Sequence, residues 1–155
     1  IMKQSLLFAL VYFFVLNSCG FKVANFQQNF SINEINSIGD TRINYKIKNK
    51  LLSNNNSDAQ YLIIINIDTK KDKTIKEKNI SNEVTKYELT ITSKVNYETL
   101  NGNLKGSFSL IKKGDYDVSA KYSDTLVKEK TLLNLLINDL SEEIQETVNN
   151  IFNDS

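Results

Sequence analysis

The chain has 155 residues, 41% of them hydrophobic and 24% charged, which fits one domain of ordinary size rather than two. Nineteen Lys and Arg against eighteen Asp and Glu leave a formal charge of +1, so no overall basic field draws the chain onto nucleic acid. There is no His and a single Cys, which excludes Ser-His-Asp and Cys-His triads, histidine metal ligands, zinc clusters and internal disulfides.

Asn, Ile and Lys number 21, 17 and 18, and Arg42 is the only basic residue that is not Lys. Such a bias is expected of AT-rich codons, so lysine abundance alone does not signal a ligand.

Lys3 precedes an uninterrupted apolar run from Leu6 to Leu16, followed by Asn17-Ser18-Cys19. A short basic start and an apolar stretch of this length have the layout of a secretory signal peptide. The run is about half of the ~20 residues that a bilayer-spanning helix needs, which disfavours a permanent transmembrane anchor. Leu16-Asn17-Ser18-Cys19 resembles the bacterial lipobox. That resemblance implies cleavage before Cys19, a diacylglycerol on its thiol and an acyl chain on its amine, and no other cofactor. Several acyl chains would hold a domain firmly where one is marginal. In the same lipoproteins Asp after the Cys marks inner-membrane retention; Gly20 stands here, so the outer membrane is the expected destination. Residues 1–18 are thus read as a signal peptide, 19–28 as the lipidated Cys and a polar tether, and 29–155 as a single periplasmic domain.

Phe30 and Ile32 begin an alternation that predicts a short strand. Gly39-Asp40-Thr41 offers a break and an N-cap, and Ile43, Ile47 and Leu51 recur at helical spacing, so a first helix is expected from Thr41 to Leu52. The Asn- and Ser-rich stretch from Ser53 to Asp58 stops it. Tyr61 to Ile67 is a β-branched and aromatic run that reads as a central strand. From Lys86 to Glu98, Tyr87, Leu89, Ile91, Val95 and Tyr97 alternate with polar residues, giving one core face and one wet face.

Leu100-Asn101-Gly102-Asn103 carries the Asn-Gly pair of a two-residue type I′ hairpin. If Leu100 opposes Asn103, Glu98 faces Lys105, Val95 faces Phe108 and Tyr97 covers Gly106, three pairings that agree with one register. The fourth strand is expected to end near Lys112, with Asp115 and Asp117 in a turn. Ser123 is a candidate cap for a long helix from Asp124 to Phe152, whose Leu133, Ile137, Leu140, Ile144, Val148 and Ile151 step by 4, 3, 4, 4 and 3. At ~1.5 Å per residue such a helix should outrun its strands and bend or overhang. The order strand-helix-strand-strand-strand-helix predicts an α+β fold: a four-stranded, mainly antiparallel sheet with two helices on one face and a polar, helix-free face opposite.

Taken together, Leu16-Asn17-Ser18-Cys19-Gly20-Phe21, Asp40-Thr41-Arg42, Tyr87-Glu88-Leu89 and the terminal helix Leu140…Ile144…Val148…Ile151 resemble the lipopolysaccharide-assembly lipoproteins of the LptE (RlpB-like) family, in their divergent alphaproteobacterial form. The resemblance spans nearly the whole chain. It implies a non-enzymatic outer-membrane lipoprotein, anchored at the periplasmic face, that plugs an LptD-like β-barrel, assists its assembly and contacts lipopolysaccharide. The competing reading is an auxiliary lipoprotein of a lipid-trafficking ABC transport system.

An enzyme is the weaker reading, since no nucleophile, base and oxyanion set is visible. Glu142, Glu143 and Glu146 share a helix, but a solvated face explains them better than a metal. For an anionic partner, the segment from Thr69 to Thr85 is longer than usual hairpin connections. It holds Lys70, Lys71, Lys73, Lys76 and Lys78 against Asp72 and Glu77. With Lys112 and Lys113 returned to the same end of the sheet, five to seven ammonium groups are expected to face one region. Lys70, Lys71, Lys73, Lys112 and Lys113 are therefore the candidate lipopolysaccharide contacts, with a mobile solvated loop as the plain alternative.

Overall fold

The structure is a computed structural model that describes residues 29–55 and 59–153. In chain order the elements are β1 (Phe30–Gly39), α1 (Thr41–Ser53), β2 (Tyr61–Lys78), β3 (Val84–Thr99), β4 (Lys105–Asp117) and α2 (Tyr122–Asn153). The sheet order is β1-β2-β3-β4, with β1 parallel to β2 and the other neighbours antiparallel. Both helices lie on one face, as the order of elements predicts. The expected signal peptide, Cys19 and the tether lie outside the described residues.

β1 is longer than its first two apolar residues suggest, because a bulge resets its alternation. Asn33 is left over between the pairs Ile32–Ile63 and Glu34–Ile64, so Ile32 and Ile35 both turn toward the helices and are buried. The strand stops at Gly39, whose φ is +95°; a Cβ there would fall 2.0 Å from the Thr69 carbonyl oxygen. Only glycine fits this close, left-handed exit. Asp40 then caps α1, its carboxylate accepting from the N–H groups of Arg42 and Ile43 at 3.1 and 3.0 Å. Asn44 latches the helix to the sheet: its amide donates to the Ile38 carbonyl at 2.8 Å and its oxygen accepts from the Thr69 hydroxyl at 2.7 Å.

The β3–β4 ladder runs without a bulge from Lys86–Asp117 to Glu98–Lys105, in the register predicted from the hairpin. The Tyr97 ring covers Gly106, where a Cβ would meet the phenol oxygen at 2.3 Å. The turn itself differs from the two-residue type I′ expected. Thr99 accepts from the Gly102 N–H at 2.7 Å and donates its own N–H to the Leu104 carbonyl at 2.9 Å, enclosing four residues. Gly102 alone has a positive φ there. Leu100 is drawn aside because its N–H bonds the Leu62 carbonyl on β2 at 2.8 Å. A four-residue loop keeps the parity of a two-residue one, which is why the register survives the wrong turn type.

The largest departure concerns the segment from Thr69 to Thr85, expected as a loop. β2 continues to Lys78, and only Asn79–Glu83 joins it to β3. The Asn79 side chain organises that turn by accepting from the N–H groups of Ser81 and Glu83 at 3.0 and 2.9 Å. β4 likewise continues to Asp117, so Asp115 and Asp117 are strand residues, not a turn. Because β2 has 18 residues, or roughly 60 Å at ~3.3 Å each, it outruns the 32-residue α2, about 48 Å long. The predicted overhang of the helix is therefore reversed.

α2 begins at Tyr122 and includes Ser123, whose hydroxyl reaches only the Asp124 side chain. The entry is organised by Thr125, whose hydroxyl accepts from the Ser119 N–H at 2.9 Å. Its buried stripe runs through Leu133, Leu136, Ile137, Leu140, Ile144, Val148 and Phe152. Phe152 closes one end of the core among Phe30, Tyr61 and Tyr97, with ring centroids 5.9, 5.2 and 5.8 Å away. Leu140 is fully buried in this stripe. Leu140→Ala should cost about 2–5 kcal/mol in denaturant unfolding; a loss below about 0.5 kcal/mol would place the stripe outside the core.

Candidate functional site

Alternation along the strands decides where each candidate lysine points. In β2 the odd-numbered residues Ile63, Ile65, Ile67 and Thr69 are buried under the helices, and Lys71, Lys73 and Ile75 continue that row. Lys70 and Asp72 face the helix-free side. In β4, Lys112 pairs with buried Ile91 and so faces the helices, whereas Lys113 pairs with Thr90 on the open face. The five lysines thus divide between two faces and do not form one cationic cluster. A loop could have gathered them; a pleated strand cannot.

On the open face Lys70 pairs with Asp72 at 3.0 Å, and Lys76, freed by an irregularity in β2, reaches Asp115 at 2.8 Å. The hydrogen bond from Lys76 holds the Asp115 carboxyl below its ordinary value. Lys86 binds Glu77 at 3.1 Å, a contact that raises its ammonium, with Asp117 at 3.8 Å adding to it. On the helix side Lys112 is tied to Glu143 of α2, and Lys50 to Glu142 at 3.5 Å, so two of the three clustered glutamates serve ion pairs. Among the described residues no three potential ligands stand together for a metal.

Lys73 occupies the most organised polar position among the described residues. Its ammonium lies 2.7 Å from Glu129 of α2 and 4.2 Å from the centroid of the Tyr87 ring. The Tyr116 hydroxyl donates to the same Glu129 carboxylate at 2.7 Å, and Tyr87 and Tyr116 stack with centroids 5.8 Å apart. Burial pulls the Lys73 ammonium down, but the bonds and attraction to Glu129 and Tyr116 outweigh it and leave its pKa well above the ordinary value. Burial pushes the Glu129 carboxyl up, and Lys73, Tyr116 and the nearby charge of Lys71 overcome this, so it is lowered. Burial also raises the Tyr116 hydroxyl.

Lys73, Tyr87 and Glu129 of this group form one wall of a cleft of about 600 Å³ at the far end of the sheet. Val84, Tyr87, Val118, Tyr122 and Leu126 line it with apolar surface, and Thr125 with a hydroxyl. Sequence reading did not find the cleft. One signal was present: the register that aligns Tyr97 with Gly106 also places Tyr87 opposite Tyr116.

The fold defines a class, a four-stranded α+β domain with both helices on one face of the sheet and the other face open. Solved lipoproteins have it. A rare lipoprotein B from Shewanella oneidensis is 14% identical, with 79% of this chain covering 95% of that one at a TM-score of 0.51. A minor lipoprotein from Acinetobacter baumannii is 15% identical over 79% and 93% of the two chains, at 0.56. A lipoprotein B from Nitrosomonas europaea is 16% identical over 87% and 94%, at 0.55. No family model matches the chain, and no curated protein sequence does.

The Lys73–Glu129 pair makes a pH-dependent contribution to stability. Since the folded Glu129 pKa is lowered, the stabilisation is present above the ordinary carboxyl value of 4.5 and is lost as pH falls through the folded value. Glu129→Gln should therefore destabilise by about 1 kcal/mol at neutral pH and low salt, the pair being partly exposed and screened. The difference between the proteins should close in acid. Denaturant unfolding at neutral and acid pH measures it; a gap independent of pH would mean that packing, not charge, is lost.

Proposed function

We propose that this chain is a non-enzymatic, lipid-anchored protein of the bacterial outer membrane, resembling the LptE component of lipopolysaccharide assembly and acting with an LptD-like β-barrel. The observation that carries the reading is the fold, shared along nearly the full length of three lipoproteins. Cys19, at the end of the apolar run Leu6–Leu16, supplies the anchor, through diacylglycerol on its thiol and an N-acyl chain. The helix-free sheet face is a broad polar surface that could lie against the inner wall of a barrel. Lipopolysaccharide phosphates would meet the lysines that form no ion pair with α2: Lys70, Lys71 and Lys113. Each acts as a point donor without the bidentate geometry of Arg. Lys73 and Lys112 are committed to Glu129 and Glu143 and are structural in this reading.

The test is affinity purification of the tagged chain from crosslinked cells. A large outer-membrane β-barrel is expected to accompany it; an inner-membrane transporter complex in its place would select the auxiliary lipoprotein of a lipid-trafficking ABC system. Cys19→Ala should abolish fatty-acid labelling of the chain, and continued labelling would remove the anchor from the proposal.

A further inference from the structure

Three stretches of strand edge face outward in this sheet, and two of them are protected. Along β1 the outward groups are occupied by α1 and the residue after its C-cap. Asn55 accepts from the Ile32 N–H at 2.7 Å and donates to its carbonyl at 3.0 Å, and Asn44 covers the Ile38 carbonyl. Beyond Gly39, β2 becomes an edge from Lys70 to Lys78, but it carries five lysines and register irregularities after Ile75 and Glu77. Lysines and bulges both oppose strand addition. The third stretch, β4, carries Lys105, Lys112 and Lys113, but Lys112 is tied to Glu143 of α2, no bulge interrupts its thirteen regularly paired residues, and Ile111 at the middle is 58% exposed.

The ladder fixes which groups of β4 are available. Thr99 bonds Leu104 at one end, and the Val118 N–H bonds the Thr85 carbonyl at the other, so even-numbered residues from 104 to 118 point their backbone groups at β3. The odd-numbered residues, Lys105 through Asp117, point theirs outward. Among the described residues no side chain satisfies them.

We infer that β4 is a self-association edge, pairing antiparallel with β4 of a second copy of this chain about a two-fold axis at Ile111. The charge along the strand supports that occupant. Lys105 at the start and Asp117 at the end are both on the open face, and pairing about Ile111 sets each Lys105 opposite the other copy's Asp117 twice over. On the helix face it sets Phe108 opposite Gly114. No like charges stand directly opposite one another. Centring the pair on Lys112 would oppose Lys112 to itself, and centring it on Ser109 would oppose Lys105 to Lys113. Centring it on Leu110 would leave Asp117 beyond the end. Only the Ile111 register uses the whole strand and matches its charge gradient. The inference does not rest on the function proposed above.

Sedimentation of the full chain carrying Cys19→Ala in mild detergent, from micromolar to millimolar protein, is expected to show a monomer–dimer equilibrium. Lys105→Asp should raise the dimer dissociation constant by roughly two- to thirty-fold, since two symmetry-related pairs are lost at once. Lys105→Asp combined with Asp117→Lys should restore it, which a general loss of fold would not allow. Ile111→Cys should form an intermolecular disulfide, the ~5.5 Å Cα separation of a hydrogen-bonded pair lying within disulfide range. Ser109→Cys, facing Lys113 in the other copy, should not. A monomer at every concentration, a dimer indifferent to both charge variants, or equal crosslinking at positions 109 and 111 would overturn the inference, as would release of the edge only to a strand from another protein.

Discussion

β3 lies between β2 and β4 and fixes the direction of every side chain on both, because its pairing assigns each neighbour residue to one face or the other. Its buried row, Leu89, Ile91, Ser93 and Val95, has to meet the helices, and this leaves no freedom in the parity of its partners. A one-residue slip would carry that row into water and bring Thr90, Thr92 and Lys94 under α2. The apolar energy at stake, on the order of 1.5–3 kcal/mol for each large aliphatic side chain, far exceeds what any surface lysine contributes by pairing. Lysine positions are thus a consequence of the core register and are not selected independently by charge.

A second consequence follows from where β1 stops. Gly39 and Asp40 lift the chain out of the sheet at Thr69, so β1 and α1 cover only the first half of β2. Past that point a single helix serves strands that continue for several more residues, and the helix-facing positions of β2 change from Ile to Lys71 and Lys73. A lysine stem can lie along apolar surface while its ammonium finds a counter-charge. Glu129 and the rings of Tyr87 and Tyr116 supply one for Lys73. The polar group and the cleft beside it thus belong to the half of the sheet that α1 does not reach.

The parts legible in the sequence are those where side-chain period and burial agree. The stripe Ile43, Ile47, Leu51 and the alternation from Lys86 to Glu98 specify their faces because one face is apolar, and Tyr97 over Gly106 pins the register of β3 against β4. Lys70 to Lys78 lacks that contrast: both faces of the strand are polar, and its strand character comes from pairing with β3, a non-local fact that no window of sequence contains. The same blindness hid the cleft, since Lys73, Tyr87 and Glu129 come from three elements. Ile32 and Ile35, three apart, likewise fit one strand face only through the bulge at Asn33, which no local composition marks.

If Cys19 carries the anchor, the geometry of the sheet sets what that anchor can bring near a membrane. The chain enters β1 at Phe30, beside Phe152 and Tyr61, at the end of the sheet opposite the cleft. The ten peptide steps from Cys19 to Asn29 reach at most ~36 Å when fully extended, whereas β2 runs from Tyr61 to Lys78, roughly 60 Å along the strand. The lysine-bearing end of the sheet is therefore the end remote from Phe30, farther from it along β2 than the tether is long. The polar, helix-free face runs the whole distance between the two ends, along β2 and β3.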